Sequence, residues 1–193
     1  MNIAIIPARG GSTRIPRKNI KDFHGKPIIA YSIETAIESE LFDKIYVSTE
    51  DAEIANIATY YGATGIHQRP DEMAQNEVGT YDVVSGFLKT QKIDTDDLVC
   101  CIYATAPLMR KEDLMTGYTA IKYNYLSDHA ISISYPPLED AAQFYWSVVG
   151  SMREKIEYWG IGTIPILIAP ERVCDINTME DWARAEQKYK DLK

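Results

Sequence analysis

Short apolar runs alternate with stretches of helical period along the whole chain. The first run, Asn2-Ile3-Ala4-Ile5-Ile6-Pro7, is apolar on both alternating faces and is followed by a glycine-bearing turn, which predicts a buried strand. From Pro27 onward Ile29, Ile33, Ala36, Ile37 and Leu41 recur at the helical period, with the proline near the expected helix start. Residues 44–48 predict a second strand. The stripe Ile54, Ala55, Ile57, Ala58 and Tyr61 then predicts a helix ending at Gly62, a residue suited to the left-handed position after a helix. A short strand at 64–67 leads to a helix carrying Val83, Val84, Phe87 and Leu88, with Thr80 as its expected N-cap. Residues 98–103 are the most β-like run. A helix with Leu114, Met115, Tyr118 and Ile121, a strand at 129–134, a strand at 164–168, and a helix from about Thr178 with Trp182, Ala185 and Tyr189 on one face complete the pattern.

Strands alternating with helices predict a three-layer α/β domain with a mainly parallel, Rossmann-like sheet, because crossover helices must cover both faces. There is no internal repeat and no low-complexity linker, so residues 1–193 read as a single domain. Sites in such folds lie beyond the carboxyl ends of the strands. That rule singles out three loops: residues 8–19, 104–108 and 170–177.

Composition narrows the function classes. Twenty basic residues against 28 acidic ones give a net charge of −8, and 46% hydrophobic residues are enough for a full core. Disorder and collagen-like structure are excluded, and wrapping of duplex nucleic acid is disfavoured, because it needs surplus cations. The thirteen tyrosines are scattered and not interleaved with a basic stripe, so a single-strand stacking platform finds no support. The first apolar run is too short for a signal sequence and no basic segment precedes it, and no stretch reaches membrane-spanning length. A soluble, cytoplasmic chain is expected. Cys100, Cys101 and Cys174 show no metal or redox spacing and are expected to be buried, reduced thiols. His24, His67 and His129 are isolated and expected at the surface or in caps.

The first of the three loops reads Arg9-Gly10-Gly11-Ser12-Thr13-Arg14-Ile15-Pro16-Arg17-Lys18-Asn19. It places four cations, Arg9, Arg14, Arg17 and Lys18, directly after the first strand of an otherwise acidic chain. Glycines let backbone N–H groups approach an anion, hydroxyls add donors, and the cations neutralise several phosphate charges together. The expected function of the loop is to cradle a polyphosphate. It has neither P-loop spacing nor the G-x-G-x-x-G spacing of dinucleotide enzymes, and the later Gly25-Lys26 is followed by Pro27 where a P-loop needs Ser or Thr. In the third loop, Asp175 and Asn177 place two oxygen-bearing side chains at i and i+2, a spacing that can serve one Mg²⁺ ion; Asn177 or Thr178 ahead of Glu180 and Asp181 is also a helix-capping signal. Asp94-Thr95-Asp96-Asp97 precedes a strand, lies at the wrong end of the sheet for catalysis, and is expected to be a solvated turn.

The order Ile6-Pro7-Ala8-Arg9-Gly10-Gly11-Ser12, Ile15-Pro16-Arg17-Lys18-Asn19, Val47-Ser48-Thr49-Glu50-Asp51 with Glu53-Ile54-Ala55, and Arg69-Pro70-Asp71-Glu72-Met73-Ala74 with Thr80 resembles the CMP-sialic acid synthetase family of nucleotidyltransferases. The segments Lys21-Asp22-Phe23-His24-Gly25-Lys26-Pro27-Ile28-Ile29-Ala30-Tyr31-Ser32-Ile33, Tyr103-Ala104-Thr105-Ala106-Pro107 and Gln143-Phe144-Tyr145-Trp146 are most similar to the members that activate pseudaminic acid. The resemblance implies a nucleotidyltransferase fold and an enzyme that joins CTP and a nonulosonic acid, pseudaminic acid first, to give a CMP-sugar and pyrophosphate. It implies Mg²⁺ as cofactor and a homodimer. Arg9, Gly10, Gly11, Ser12, Arg14, Lys18 and Asn19 would hold the nucleotide phosphates, with Lys18 and Arg9 as the catalytic cations. Arg69 and Thr80 would contact base and ribose, Ala104 and Thr105 would line the nucleotide site, Gln143 and Tyr145 would bind the sugar, and Asp175 with Asn177 would hold the metal.

Several positions depart from the family pattern. Tyr103 stands where other members place glutamine, Thr13 where many have lysine, Ala142 where glycine is expected, and Asn177 where aspartate is usual. Near Tyr135-Pro136-Pro137-Leu138 the family carries a substantial insertion that projects toward a partner subunit and brings arginine and glutamine residues to the sugar site. Its loss would strip sugar-binding groups from an otherwise matching chain, so omission of a stretch at this point is the expectation. The alternatives are use of N-acetylneuraminic or legionaminic acid, a metal-dependent glycosyltransferase, and a non-catalytic nucleotide-binding module.

Overall fold

The computed structural model describes residues 1–75 and 77–193. The elements follow the chain as β1 (Asn2–Pro7), β2 (Asp22–Phe23), β3 (Lys26–Pro27), α1 (Ile28–Glu38), β4 (Lys44–Thr49), α2 (Ala52–Tyr60), β5 (Gly65–Gln68), α3 (Thr80–Thr90), β6 (Leu98–Ile102), α4 (Lys111–Lys122), β7 (His129–Ser134), β8 (Glu139–Val148), α5 (Val149–Arg153), β9 (Thr163–Ile168) and α6 (Met179–Asp191). Seven strands make the main sheet in the order β5-β4-β1-β6-β8-β7-β9, and β2 with β3 forms a small hairpin. All pairings in the main sheet are parallel except those of β8, which runs antiparallel to both β6 and β7.

Side-chain alternation along the central strands divides the core. Ala4 and Ile6 of β1, with Val47, Cys100, Ile102, Phe144 and Trp146, pack under Ile29, Ile33, Ile54, Ala58, Leu114 and Ile121 of α1, α2 and α4. Ile3, Ile5, Val99, Cys101 and Tyr145 face the other way, against Val84, Phe87 and Leu88 of α3 and Val149 and Met152 of α5. A third cluster joins Ile15, Phe23, Ile28, Tyr31, Ile176, Trp182 and Ala185. It seats α6 and the small hairpin, and it pins Ile15 from the basic loop beside Ile176 from the loop before α6.

The predicted strands and helices are present, with some corrections. Thr80 is the first residue of α3 and Gly79 takes the N-cap position without a side-chain bond, so Thr80 does not cap. Strand β8 was not foreseen: its buried stretch mixes Gln143 and Ser147 with aromatics, and its place between β6 and β7 depends on pairing with residues far along the chain. His129, expected at the surface, is fully buried in β7, bonded through Nδ1 to the Ser147 hydroxyl at 2.8 Å and through Nε2 to the Ile156 carbonyl at 3.0 Å. Of the three thiols, all free, Cys100 and Cys101 are buried and Cys174 is half-buried. The Asp94–Asp97 turn lies at the amino end of β6, away from the strand carboxyl ends, and its last residue pairs with the N-terminal ammonium. The capping signal before α6 is realised by Thr178, whose hydroxyl accepts from the Asp181 N–H at 3.2 Å, while the Asp181 carboxylate accepts from the Thr178 N–H at 2.7 Å. No helix among the described residues is long and apolar enough to cross a membrane.

Residues 135–138 join β7 to β8 directly, at the point where the insertion was expected. Just beyond, Ala142 sits at φ 49°, the left-handed region that disfavours a Cβ, where the pairing of β7 and β8 shifts register. Asp140 holds this bend by accepting from the Ala142 N–H at 2.8 Å. Ala142→Gly is expected to raise the free energy of unfolding by about 0.5–1 kcal/mol, read as a higher urea midpoint at unchanged slope. A lower midpoint would show that the bend is not strained.

Candidate active site

The three loops singled out from the sequence meet over the carboxyl ends of β1, β4 and β6. After β1 the chain crosses to β4 and β5 on one side, then back to β6 on the other, so the crevice lies at the point where the strand order reverses. A cavity there is lined by Pro7, Arg9, Ser12, Thr13, Arg14, Lys18 and Asn19 from the first loop, and by Arg69, Val78, Gly79, Thr80 and Val83 around the start of α3. Tyr103, Ala104 and Thr105 after β6, and Asn177 before α6, close it. Four cations line it and, among its described lining residues, no carboxylate does.

The loop owes its shape to local chemistry. Ile15 is held in the apolar cluster under α6, and the buried amide of Asn19 donates to the Arg9 carbonyl at 2.9 Å, tying the two ends of the loop together. Arg17, expected in the cradle, turns away at φ 56°. It pairs with Asp51, at the N-cap of α2, and with Glu53 at 2.5 Å. The Arg17 guanidinium holds the Asp51 carboxyl below its ordinary range. Gly10 is also committed: its N–H, expected to face an anion, donates to Glu50 Oε1 at 2.6 Å, and a Cβ there would come within 2.5 Å of Asp51 Oδ2. Gly11 faces open space. The glycines therefore serve close packing at one position and access at the other.

Lys18 ties the first loop to the third. Its ammonium donates to the Ile176 carbonyl at 2.6 Å, bridging the first and third loops, which leaves further donors for the cavity. Burial pushes its pKa down; nearby Asp175 partly opposes this, while Arg14 and Arg9 reinforce it. A cation crowded by cations and short of water is one that an incoming polyanion relieves. Arg14 reaches Asn177 Oδ1 at 2.9 Å. On the far side Arg69 is buried, with its guanidinium donating to the Ser48 carbonyl at 2.7 Å and hydroxyl at 3.3 Å. Burial lowers its pKa as well, with Glu50 opposing. Glu50 Oε2 is buried without a hydrogen-bond partner, a carboxylate set behind the cations that was not anticipated from the sequence beyond its motif.

The other expected residues divide. Thr80, Ala104 and Thr105 line the cavity. Gln143 and Tyr145 do not reach its lining. Gln143 is buried, donating to the Arg172 carbonyl at 2.7 Å with its Oε1 unpartnered, and Tyr145 lies behind Tyr103. Asp175 is exposed on an adjoining cleft with Glu139, Asp140, Cys174, Arg184 and Lys188. It accepts from the Asn177 amide at 2.5 Å, so the two expected metal residues touch. No group of three or more His, Cys, Asp or Glu suited to a metal occurs among the described residues. One carboxylate beside a cationic cavity suits Mg²⁺ where phosphate and water supply the remaining oxygens.

A sequence profile described as cytidylyltransferase matches residues 3–136. The chain is 33% identical to a pseudaminic acid cytidylyltransferase of Campylobacter jejuni subsp. jejuni serotype O:23/36 (strain 81-176), covering 98% of this chain and 96% of that protein. That alignment spans 223 positions for a chain of 193 residues, so the relative carries residues with no counterpart here. A CMP-N,N'-diacetyllegionaminic acid synthase of Legionella pneumophila subsp. pneumophila (strain Philadelphia 1) is 27% identical over 96% of this chain and 94% of that protein. Among solved structures, a CMP:2-keto-3-deoxy-manno-octonic acid synthetase complexed with CTP shares the fold, with a TM-score of 0.78 at 16% identity, over 100% of this chain and 99% of that one.

Proposed function

The chain belongs to the cytidylyltransferase family of nucleotidyltransferases, and from that premise we propose that it joins CTP to a nonulosonic acid, pseudaminic acid first, releasing pyrophosphate. The observation that carries the reading is the cluster of Arg9, Arg14, Lys18 and Arg69 around a cavity at the strand-order reversal, with no carboxylate among its described lining residues. In the reaction the anomeric hydroxyl oxygen attacks the α-phosphorus, and the bond to the bridging oxygen breaks in line as pyrophosphate leaves. Lys18 and Arg9 stabilise the charge that builds up on the phosphoryl oxygens, and they do so in a partly desolvated site where each unit of charge acts strongly. Arg69 and Thr80 orient the nucleoside, while Ser12 and the open backbone at Gly11 supply neutral donors. Asp175, with Asn177 beside it, would hold Mg²⁺, which when bound adds Lewis-acid stabilisation of the triphosphate.

The test is pyrophosphate release with CTP and Mg²⁺, with pseudaminic and N-acetylneuraminic acids supplied in parallel. Release with pseudaminic acid alone is expected. Release only with the second acid would move the substrate to the sialic acid branch. CTP binding without release from either would favour a non-catalytic nucleotide-binding module, the reading to which Asn177 in place of aspartate lends weight.

A further inference from the structure

The cationic cavity suits negative charge, but no carboxylate among its described lining residues is placed to remove the proton of the attacking hydroxyl. Because β8 runs antiparallel to β6, its first residues lie at the same end of the sheet as the carboxyl end of β6, beside the cavity. There three side chains form a line from one opening of the molecule to another. Tyr103 lines the cavity together with Thr80. The Tyr145 hydroxyl lies 3.5 Å from the Tyr103 hydroxyl and donates to Asp140 Oδ2 at 2.5 Å. Asp140 is exposed on the adjoining cleft, facing Glu139, Cys174, Asp175, Arg184 and Lys188.

A phenol has one proton to give. The short bond commits the Tyr145 proton to the carboxylate as acceptor, so Tyr103 is the donor between the two phenols, and the lone pairs of Tyr103 are left to accept from a ligand in the cavity. Tyr145 is buried and stacks on Tyr158 at 4.8 Å between ring centres, and Tyr103 meets its edge at 5.6 Å, so water is kept from the middle of the line. Burial pushes the Tyr145 phenol far above its ordinary range, with Tyr103 and Asp140 adding to the effect. Tyr145 therefore passes a proton on and does not hold a charge.

Building on the proposed cytidylyl transfer, we infer that Tyr103, Tyr145 and Asp140 form a proton relay that drains the acceptor hydroxyl during attack. As the anomeric O–H breaks and the new O–P bond forms, the proton goes to the Tyr103 oxygen. The Tyr103 proton moves to Tyr145, the Tyr145 proton moves to Asp140, and Asp140 gives its proton to solvent in the adjoining cleft. The leaving electron pair departs with pyrophosphate. Tyr103 is the catalytic residue, and Tyr145 and Asp140 act through it.

Asp140→Asn tests this with little change of shape, because the amide oxygen still accepts from the Ala142 N–H while the amide nitrogen cannot accept from Tyr145. Asp140→Asn and Tyr145→Phe are each expected to lower kcat by about 10²-fold, the usual scale for losing general-base help. CTP affinity and acceptor KM should stay within about twofold. The double variant should be no slower than either single one, since each change breaks the same line. The solvent deuterium isotope effect on kcat of the wild type should change in both variants. Wild-type turnover together with an unimpaired Tyr145→Phe would overturn the relay alone. CTP binding by the wild type with no release from any nonulosonic acid supplied would overturn the proposed reaction, and the relay with it.

Discussion

Lys18→Ala is expected to lower the rate of pyrophosphate release by about 10²- to 10³-fold, the usual consequence of removing one preorganised donor from charge developing in a transition state. The ammonium bridges the first loop to the Ile176 carbonyl at 2.6 Å, so it reaches the cavity already oriented. The fold should survive. Ile15 and Ile176 remain in the apolar cluster under α6, and Asn19 still ties the loop ends together through the Arg9 carbonyl. Circular dichroism and the urea midpoint should therefore stay near wild type while single-turnover release falls. Near-normal release in the variant would remove Lys18 from the chemistry and leave the cradle to the three arginines.

Trp146→Ala is expected to produce the largest loss of stability, about 3–5 kcal/mol, the range for truncating a buried aromatic residue. Trp146 has no exposed surface, stacks on Phe42 at 5.1 Å and 10°, and donates from its indole nitrogen to the Leu114 carbonyl at 3.1 Å. Gly117 on α4 lies so close that a Cβ there would come within 2.7 Å of the indole. The ring fills the space between β8 and α4 that no neighbour can collapse into, because α4 is already held at close range. For a chain of this length the loss corresponds to a fall in Tm of roughly 6–20 °C, measurable by thermal unfolding. A shift below about 1 kcal/mol would mean that α4 relaxes onto β8 after all.

The fold was largely legible because burial of parallel strands and amphipathic helices is written in local periodicity. The run from Ile3 to Ile6 can only be buried on both faces, and Ile29, Ile33 and Ala36 can only face a core. Strand β8 escaped because its identity as a strand depends on neighbours: Cys101 pairs with Tyr145 and Ala130 with Trp146, contacts that no window of sequence contains. The buried state of His129 escaped for the same reason, since Ser147 and Ile156, which satisfy its ring, come from other parts of the chain.

The site divides along the same line. Glycine, hydroxyl and cation density within eleven residues singled out the loop that, in the structure, lines the cationic cavity, because like charges clustered in an acidic chain stand out in sequence. Within that cluster the sequence could not separate Arg17, drawn off by Asp51 and Glu53, from Lys18, drawn in by Ile176. It could place Asp175 and Asn177 on one turn, and the structure shows them in contact. Nothing in it linked Tyr103 to Asp140, 37 positions away, because that link exists only once β8 is inserted beside β6. By itself the sequence determined most of the secondary elements, the layers and the cation-rich loop, since periodicity and local charge density act between residues close along the chain. The tertiary structure alone decided which cations face the cavity and which hydroxyls form a line out of it, because hydrogen bonds and ion pairs are made between whichever groups the packed sheet brings within about 3 Å.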